Sequence, residues 1–163
     1  SADPIIPIKN ENISFPSFMI STSSSEQSFL SFYSLLNRHK ITVKQIALCQ
    51  DNLDFYIGND DMICPAMSVG CKGVISVLAN ILPSYTHKMT MNGYYGNFKT
   101  CSAMQRESIK LIELLFSDVN PIPVKAALEV MGTSSCNLRL PLVAADEKLM
   151  KEIKSELSKF NLT

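Results

Sequence analysis

The sequence has no surplus of charge of either sign and no stripe of basic side chains. Its 163 residues include 15 lysines and arginines and 15 aspartates and glutamates, so the formal net charge at pH 7 is zero. Domains that bind nucleic acids through phosphate groups carry a strongly basic surface. The composition therefore argues against a nucleic-acid partner.

Long apolar runs and an export leader are also missing. No apolar run in the sequence approaches the roughly 20 residues that a membrane-spanning helix needs. The start of the chain lacks the pattern of a signal peptide, which is a positive segment, an apolar stretch and a small-residue cleavage site. We therefore predict no membrane partner and a cytoplasmic localisation.

Metal-ligating residues are few and poorly spaced. The chain has two histidines, an odd number of cysteines and no CxxC pair. Neither His39 nor His87 has a cysteine or an acidic residue at ligand spacing, so no metal site is predicted. The wide spacings favour free thiols of a cytosolic protein for all five cysteines, which are Cys49, Cys64, Cys71, Cys101 and Cys136.

Apolar residues make up 46% of the chain, which is ample for the core of one domain, but residues 1–40 differ from the rest. Prolines and a Ser/Thr run interrupt their first part, and we expect residues 1–24 to be loosely ordered. A helix is predicted from Glu26 to Asn37. It is supported by apolar residues at helical spacing, namely Phe29, Phe32, Tyr33 and Leu36.

From Ile41 onward the pattern becomes regular and, after a short helix, predicts a β–α–β unit. Leu53–Ile57 and the β-branched Gly73–Val77 are the predicted strands. The helix between them is expected to be capped by Asn59-Asp60-Asp61 and to stop at Gly70. Parallel strands joined through a helix belong to a larger sheet, so an α/β fold is predicted.

After Pro83 the sequence is typical of helices, and nothing in it signals catalysis. A long helix is predicted from Tyr95 to Phe116. The next helix should be capped by Asn120, have Pro121 in its first position and stop at Gly132. An extended segment, Arg139–Leu142, and a last helix from Ala145 to Phe160 are predicted to follow. We expect this tail to provide packing and a surface for self-association.

Four stretches occur in an order and at spacings that resemble 4-hydroxy-tetrahydrodipicolinate synthase. The resemblance runs from about Ile41 to Leu162 and matches the last two fifths of a full-length family member. The third and fourth stretches favour this family over the N-acetylneuraminate lyases and keto-deoxy-sugar aldolases. The stretches are Tyr56–Asp61, Gly73–Val77 with Ala79-Asn80, Asn120–Lys125 and Leu138–Leu142.

The resemblance implies a partial (β/α)8 TIM barrel followed by a C-terminal helical domain. Leu53–Ile57 would then be the seventh barrel strand and Gly73–Val77 the eighth. Residues 41–83 would form the end of the barrel, and residues 84–163 would form its last helix and the helical domain. Residues 1–40 match the family poorly.

The resemblance also implies a chemistry and two site residues. The family condenses pyruvate with aspartate semialdehyde through a lysine Schiff base and uses no cofactor. Barrel active sites lie at the carboxyl ends of the strands, where Gly58 and Ile75 match substrate-binding positions. Gly58 would present its backbone carbonyl and leave room for close approach. Ile75 would contact pyruvate through its backbone and side chain.

The family's Schiff-base lysine lies in an Ile-Lys-Glu-Ala motif, and this motif is absent here. Lys40 and Lys44 are the nearby lysines, and neither has the motif. Ile57 and Cys71 also depart from a usual serine and a usual glycine. We therefore expect a truncated, inactive member with no catalytic residue. The alternatives are a non-enzymatic interaction module that forms a homo-oligomer and, further away, another pyruvate-dependent aldolase such as N-acetylneuraminate lyase.

Overall fold

The computed structural model describes residues 32–34, 39–49 and 52–162. Within them lie a small parallel sheet and six helices, which makes the described fold mostly helical. None of the described helices is long and apolar enough to cross a lipid bilayer. The elements are β1 (Phe32–Ser34), α1 (His39–Cys49), β2 (Phe55–Ile57), α2 (Ile63–Ser68), β3 (Gly73–Val74), α3 (Pro83–Tyr94), α4 (Phe98–Leu115), α5 (Ile122–Val130) and α6 (Glu147–Ser158).

The strands pair in the order β1-β2-β3, and both pairs are parallel. Tyr56 lies opposite Gly73, and Ile57 lies opposite Val74. The predicted β–α–β unit is therefore confirmed, because α2 connects β2 to β3. Both predicted strands are shorter than expected, since β2 begins at Phe55 and β3 ends at Val74.

The predicted helix from Glu26 to Asn37 is wrong where the structure describes it. Phe32–Ser34 is a strand that pairs with Phe55–Ile57, residue for residue. The free edge of β2 offers backbone hydrogen bonds that helical side-chain spacing does not reveal, and this pairing overrides the local pattern. The remainder of that predicted helix, and residues 1–24, lie outside the described residues.

The start of α2 also differs from the prediction. Residues Asp60–Met62 form a short 3-10 turn, α2 follows at Ile63, and the Asn59 side chain makes no capping hydrogen bond. The Asp60 carboxylate turns away from this helix and bonds to backbone amides beyond β3. Gly70, predicted as the stop, lies just after α2 and has a φ of +104° that suits glycine.

The long helix predicted from Tyr95 to Phe116 begins later than expected. Two helices, α3 and α4, are separated by a turn in which Gly96 has a φ of +79°. Gly93, near the end of α3, lies where α2 and α4 come together. A Cβ atom built on it would lie 2.7 Å from the Met67 Cβ atom and 3.3 Å from the Cys101 Sγ atom.

In the tail, the helix after Asn120 begins at Ile122 and has no side-chain cap, so the predicted Asn120 cap is wrong. The Ile122 amide instead bonds to the Val119 carbonyl in the preceding turn. The stop at Gly132 is confirmed, because α5 ends at Val130 and Gly132 has a φ of +70°.

The segment Arg139–Leu142 is a turn rather than an extended stretch. The Leu142 amide donates a 3.0 Å hydrogen bond to the Arg139 carbonyl, which closes the chain on itself. The last helix is confirmed with shorter bounds. Asp146 caps it by accepting a 2.7 Å hydrogen bond from the Leu149 amide.

One apolar core joins the sheet to the helices. Helix α4 contributes most to it and presents a buried stripe against α2, α3 and α6. Each fully buried aliphatic side chain contributes about 1.5–3 kcal/mol of hydrophobic stabilisation. The core side chains that are almost fully buried include Ile57, Ile63, Leu78, Met89, Cys101, Leu111, Leu115, Ile153 and Leu157.

Candidate functional site

Gly58 and Ile75 lie side by side at the carboxyl edge of the sheet. The β2–β3 register pairs Ile57 with Val74, so the next residue of each strand is Gly58 on one side and Ile75 on the other. The Ile75 amide continues the pairing with a 2.9 Å hydrogen bond to the Ile57 carbonyl. Gly58 is buried, whereas 44% of Ile75 is exposed. The two predicted substrate-binding residues are thus neighbours.

Asp60 holds the two strand ends together. Its Oδ2 atom accepts hydrogen bonds of 2.9 Å from the backbone amides of Val77 and Leu78. These amides begin the short turn Leu78–Asn80, which follows the predicted site residue Ile75. Asp60 is fully buried. Its carboxylate therefore fixes the loop after β2 to the loop after β3 on either side of the Gly58–Ile75 edge.

The environment of Asp60 affects its charge in opposing ways. Burial removes water from the carboxylate and raises its pKa above the ordinary value of 3.8. Hydrogen bonds from the Ser76 hydroxyl and the Leu78 and Val77 amides oppose this rise, and the neighbouring Asp61 carboxylate adds to it. The net result is a raised pKa, because desolvation is the largest of these effects.

A side chain of α4, Gln105, forms hydrogen bonds with the loop that contains Asp60. The Gln105 side chain donates a 2.7 Å hydrogen bond to the Asp60 carbonyl and accepts a 3.1 Å bond from the Cys64 amide. Sequence reasoning missed Gln105. The available signal was a polar residue one turn after Cys101, on a helix face that is mostly apolar.

Two lysines whose side chains the structure describes, Lys44 and Lys72, do not lie at this edge. Lys44 is exposed on α1, and the side chain of Lys40 lies outside the described part of the chain. Lys72 precedes β3 and so lies at the opposite, amino end of the strand. There it lines an open cleft with Asp54, Tyr56, Met91 and Tyr94.

Metal-ligating side chains are likewise dispersed over residues 32–34, 39–49 and 52–162. In these ranges no three histidine, cysteine, aspartate or glutamate side chains lie close enough to hold an ion. The polar groups beside Gly58 and Ile75 are instead backbone amides and carbonyls held by Asp60 and Gln105.

Comparison with known proteins gives a consistent family assignment. The profile of the Dihydrodipicolinate synthetase family matches residues 36–160. The chain is 41% identical over 116 residues to 4-hydroxy-tetrahydrodipicolinate synthase 1 of Clostridium acetobutylicum and 44% identical over 116 residues to the synthase of Clostridium tetani. Each match covers 71% of this chain and 40% of the relative. The chain therefore spans about two fifths of the length of these relatives.

Solved structures lead to the same family. Dihydrodipicolinate synthase of Thermotoga maritima superposes with a TM-score of 0.78 at 29% identity, over 82% of this chain and 46% of that one. The chloride-inhibited enzyme of Acinetobacter baumannii, solved with pyruvate, gives a TM-score of 0.72 at 27% identity, over 75% of this chain and 42% of that one. On sequence and fold together, the chain belongs to the dihydrodipicolinate synthetase family and corresponds to the C-terminal part of its members.

Proposed function

We propose that residues 41–162 are the part of a 4-hydroxy-tetrahydrodipicolinate synthase that supplies the seventh and eighth barrel strands and the C-terminal helical region. Residues 41–83 would belong to the barrel and residues 84–163 to its last helix and the tail. In this proposal Gly58 and Ile75 contact pyruvate. The main support is the parallel register of β2 and β3, which makes these two residues neighbours at the edge where barrel enzymes bind substrate.

We further propose that the 163-residue chain alone does not perform the condensation of pyruvate with aspartate semialdehyde. Imine formation needs an amine that is partly deprotonated in a dry pocket, so that its nitrogen can attack the keto carbon and expel water. The Ile-Lys-Glu-Ala motif that carries this amine in the family is absent from the sequence. The side chain of Lys44 is exposed to solvent rather than enclosed in a dry pocket.

Borohydride trapping tests the absence of imine chemistry. Purified chain is incubated with pyruvate and borohydride, and its intact mass is measured beside that of the full-length C. tetani synthase. We expect a reduced pyruvate adduct on the full-length enzyme and none on this chain. A stoichiometric adduct on Lys40 or Lys44 would overturn the inactive assignment.

A chimaera tests the substrate-binding role of the strand edge. Residues 41–162 replace the corresponding C-terminal part of the C. acetobutylicum synthase, and imine formation is measured against pyruvate concentration. We expect activity in the chimaera, and a KM for pyruvate raised about tenfold by Ile75→Ala, because a lost side-chain contact of this size is worth about 1–2 kcal/mol. The matched control is Val119→Ala, an exposed aliphatic residue on the loop before α5. An unchanged KM in the Ile75→Ala chimaera would remove Ile75 from the site.

A non-enzymatic module that self-associates is the second candidate function. Aromatic side chains at the turn between α3 and α4 favour it, because Tyr94 and Phe98 are partly exposed and 76% of Tyr95 is exposed. Adjacent exposed aromatic residues are typical of protein contacts. Sedimentation of the purified chain tests it. A single oligomer that Tyr95→Ser dissociates would support this function, and a monomer at all concentrations would exclude it.

A further inference from the structure

The Gln105 side chain stands in for a helical hydrogen bond at the start of α2. In a continuous α-helix the amide of Cys64 would bond to the carbonyl of Asp60, four residues earlier. Here the Gln105 side chain bridges these two groups, because it accepts a 3.1 Å hydrogen bond from the Cys64 amide and donates a 2.7 Å bond to the Asp60 carbonyl. The bridge uses both the oxygen and the nitrogen of the side chain. Gln105 therefore fixes the turn that leads from Asp60 into α2.

This turn is connected to both strand ends of the Gly58–Ile75 edge. Gly58 lies directly after β2 and two residues before Asp60. On the other strand, the Asp60 Oδ2 atom accepts hydrogen bonds of 2.9 Å from the amides of Val77 and Leu78. Val77 in turn lies two residues after Ile75. A shift of Asp60 would therefore move the backbone on both sides of the edge.

Burial decides which part of this region would move. Gln105 is buried and Asp60 is fully buried, so water cannot replace a hydrogen bond that either one loses, and the backbone has to adjust instead. Helix α2 is anchored in the core by Ile63 and Ala66. We therefore expect loss of the bridge to displace the turn at Asp60 rather than α2.

We propose that Gln105 is a positioning residue for pyruvate, because through Asp60 it sets the spacing between Gly58 and the loop after Ile75. This inference rests on the proposed function, in which Gly58 and Ile75 contact the 2-keto acid. Gln105 acts through Asp60 and not by touching the substrate. The helical tail, which carries no catalytic motif, thereby contributes to substrate affinity through one side chain of α4.

Kinetics of the chimaera that carries residues 41–162 test this role. Gln105→Met keeps the length of the side chain and removes both hydrogen bonds. We expect the KM for pyruvate to rise about five- to tenfold while kcat changes less than about twofold, because a loss of uniform binding raises KM alone. Gln105→Glu should raise KM in the same way, since an ionised carboxylate accepts from the Cys64 amide but cannot donate to the Asp60 carbonyl.

Leu111→Ala is the matched control for a loss of stability. Leu111 is fully buried on the same helix, and its side chain has no hydrogen-bonding group. Its truncation leaves a cavity in the core and should lower the melting temperature of the chimaera. The KM for pyruvate should stay unchanged, because the bridge between Asp60 and Cys64 is intact. A merely structural role of Gln105 would give the two variants the same kinetics.

Amide hydrogen exchange in the 163-residue chain supplies a second readout, which does not depend on pyruvate. Exchange at Val77 and Leu78 is compared with exchange in α6. In Gln105→Met the amides of Val77 and Leu78 should exchange faster by a larger factor than those of α6, because the turn at Asp60 opens locally. In Leu111→Ala both groups should be accelerated alike, since the core as a whole is weakened.

The possible failures are distinguishable. A folded but inactive chimaera would contradict the proposed function and this inference with it. An active chimaera in which Gln105→Met leaves the KM for pyruvate unchanged would overturn this inference alone. Equal rises of KM in Gln105→Met and Leu111→Ala, or equal acceleration of exchange at Val77, Leu78 and α6 in Gln105→Met, would also overturn it.

Discussion

The side-chain amide of Gln105 donates a 2.7 Å hydrogen bond to the backbone carbonyl of Asp60, which lies 45 residues earlier in the chain. The carboxylate of the same Asp60 accepts two bonds from the loop after β3. One residue therefore joins the ends of two strands, and a helix of the tail holds that residue in place. The geometry of the Gly58–Ile75 edge depends on contacts that are distant in sequence.

Replacing Gln105 by leucine should lower the free energy of unfolding by about 2–4 kcal/mol. The change leaves the buried Asp60 carbonyl and the partly buried Cys64 amide without their hydrogen-bond partner, and a buried group that loses its partner costs about 1–3 kcal/mol. Urea unfolding followed by circular dichroism measures it. Lys110→Ala is the control, because its ion pair with Glu113 is solvent-exposed and contributes about 0–1 kcal/mol. Equal losses of unfolding free energy from the two substitutions would show that the hydrogen bonds of Gln105 do not stabilise the chain.

Replacing Asp60 by asparagine should change how stability depends on pH. The pKa of Asp60 is raised in the folded state. The free energy of unfolding that its protonated carboxyl contributes is therefore fully present below the ordinary pKa of 3.8 and is lost as the pH rises through the raised pKa. The stability of the unmodified chain relative to Asp60→Asn should therefore increase as the pH is lowered from about 7 to about 4. Unfolding free energies of both chains over this range measure it. A relative stability that falls on acidification would mean that the hydrogen bonds from Val77 and Leu78 outweigh desolvation.

Replacing Gly93 by alanine should destabilise the chain by about 1–3 kcal/mol through overpacking. The new Cβ atom would lie 2.7 Å from the Met67 Cβ atom, which is attached directly to the backbone of α2 and cannot rotate away. This overlap exceeds the gain of up to about 1 kcal/mol that alanine brings to a helix. Thermal melts of the two chains measure the difference.

Gly132→Ala provides the comparison for Gly93. At this position the φ of +70° disfavours alanine, but no atom lies within 4 Å of the added Cβ. Its cost should therefore be confined to backbone strain of about 1–2 kcal/mol, without displacement of a neighbouring helix. Only Gly93→Ala should alter the near-ultraviolet signal of the packed aromatic side chains. If Gly93→Ala is neutral or stabilising, α2 and α3 are not held at close contact.

Replacing Asp146 by alanine should reduce stability by about 1 kcal/mol, because α6 loses the cap that accepts the Leu149 amide. The effect reaches the core, since α6 buries Ile153 and Leu157. Urea unfolding of the variant measures it. Glu147→Ala is the control, as this neighbouring carboxylate is 94% exposed and pairs with exposed Lys151. If both substitutions lower the free energy of unfolding equally, the hydrogen bond between Asp146 and Leu149 does not stabilise the chain.

Much of the chain could be predicted from local pattern. The β–α–β unit, the stops at Gly70 and Gly132 and the last helix follow from periodicity and from residues whose backbone preference is strong. The family motifs led to Gly58 and Ile75, and the register shows that these residues are neighbours. Their role in binding pyruvate stays a prediction.

Other features could not be predicted, because they depend on partners distant in the chain. Phe32 and Tyr33 belong to a row of apolar residues at helical spacing, yet they lie in a strand because β2 presents a free edge to it. Asp60 has the sequence position of a helix cap, yet its carboxylate bonds to Val77 and Leu78. Gln105 looks like a polar interruption of an apolar helix face until its two partners are known.

The sequence by itself determined the family of this protein and the places where most of its helices and strands occur, since both depend on residues close together in the chain. Only the tertiary structure decided which groups meet: β1 with β2, Asp60 with the loop after β3, and Gln105 with Asp60 and Cys64. The physical reason is that a buried hydrogen bond or a strand pairing forms only when separate segments pack, and local periodicity carries no record of the partner.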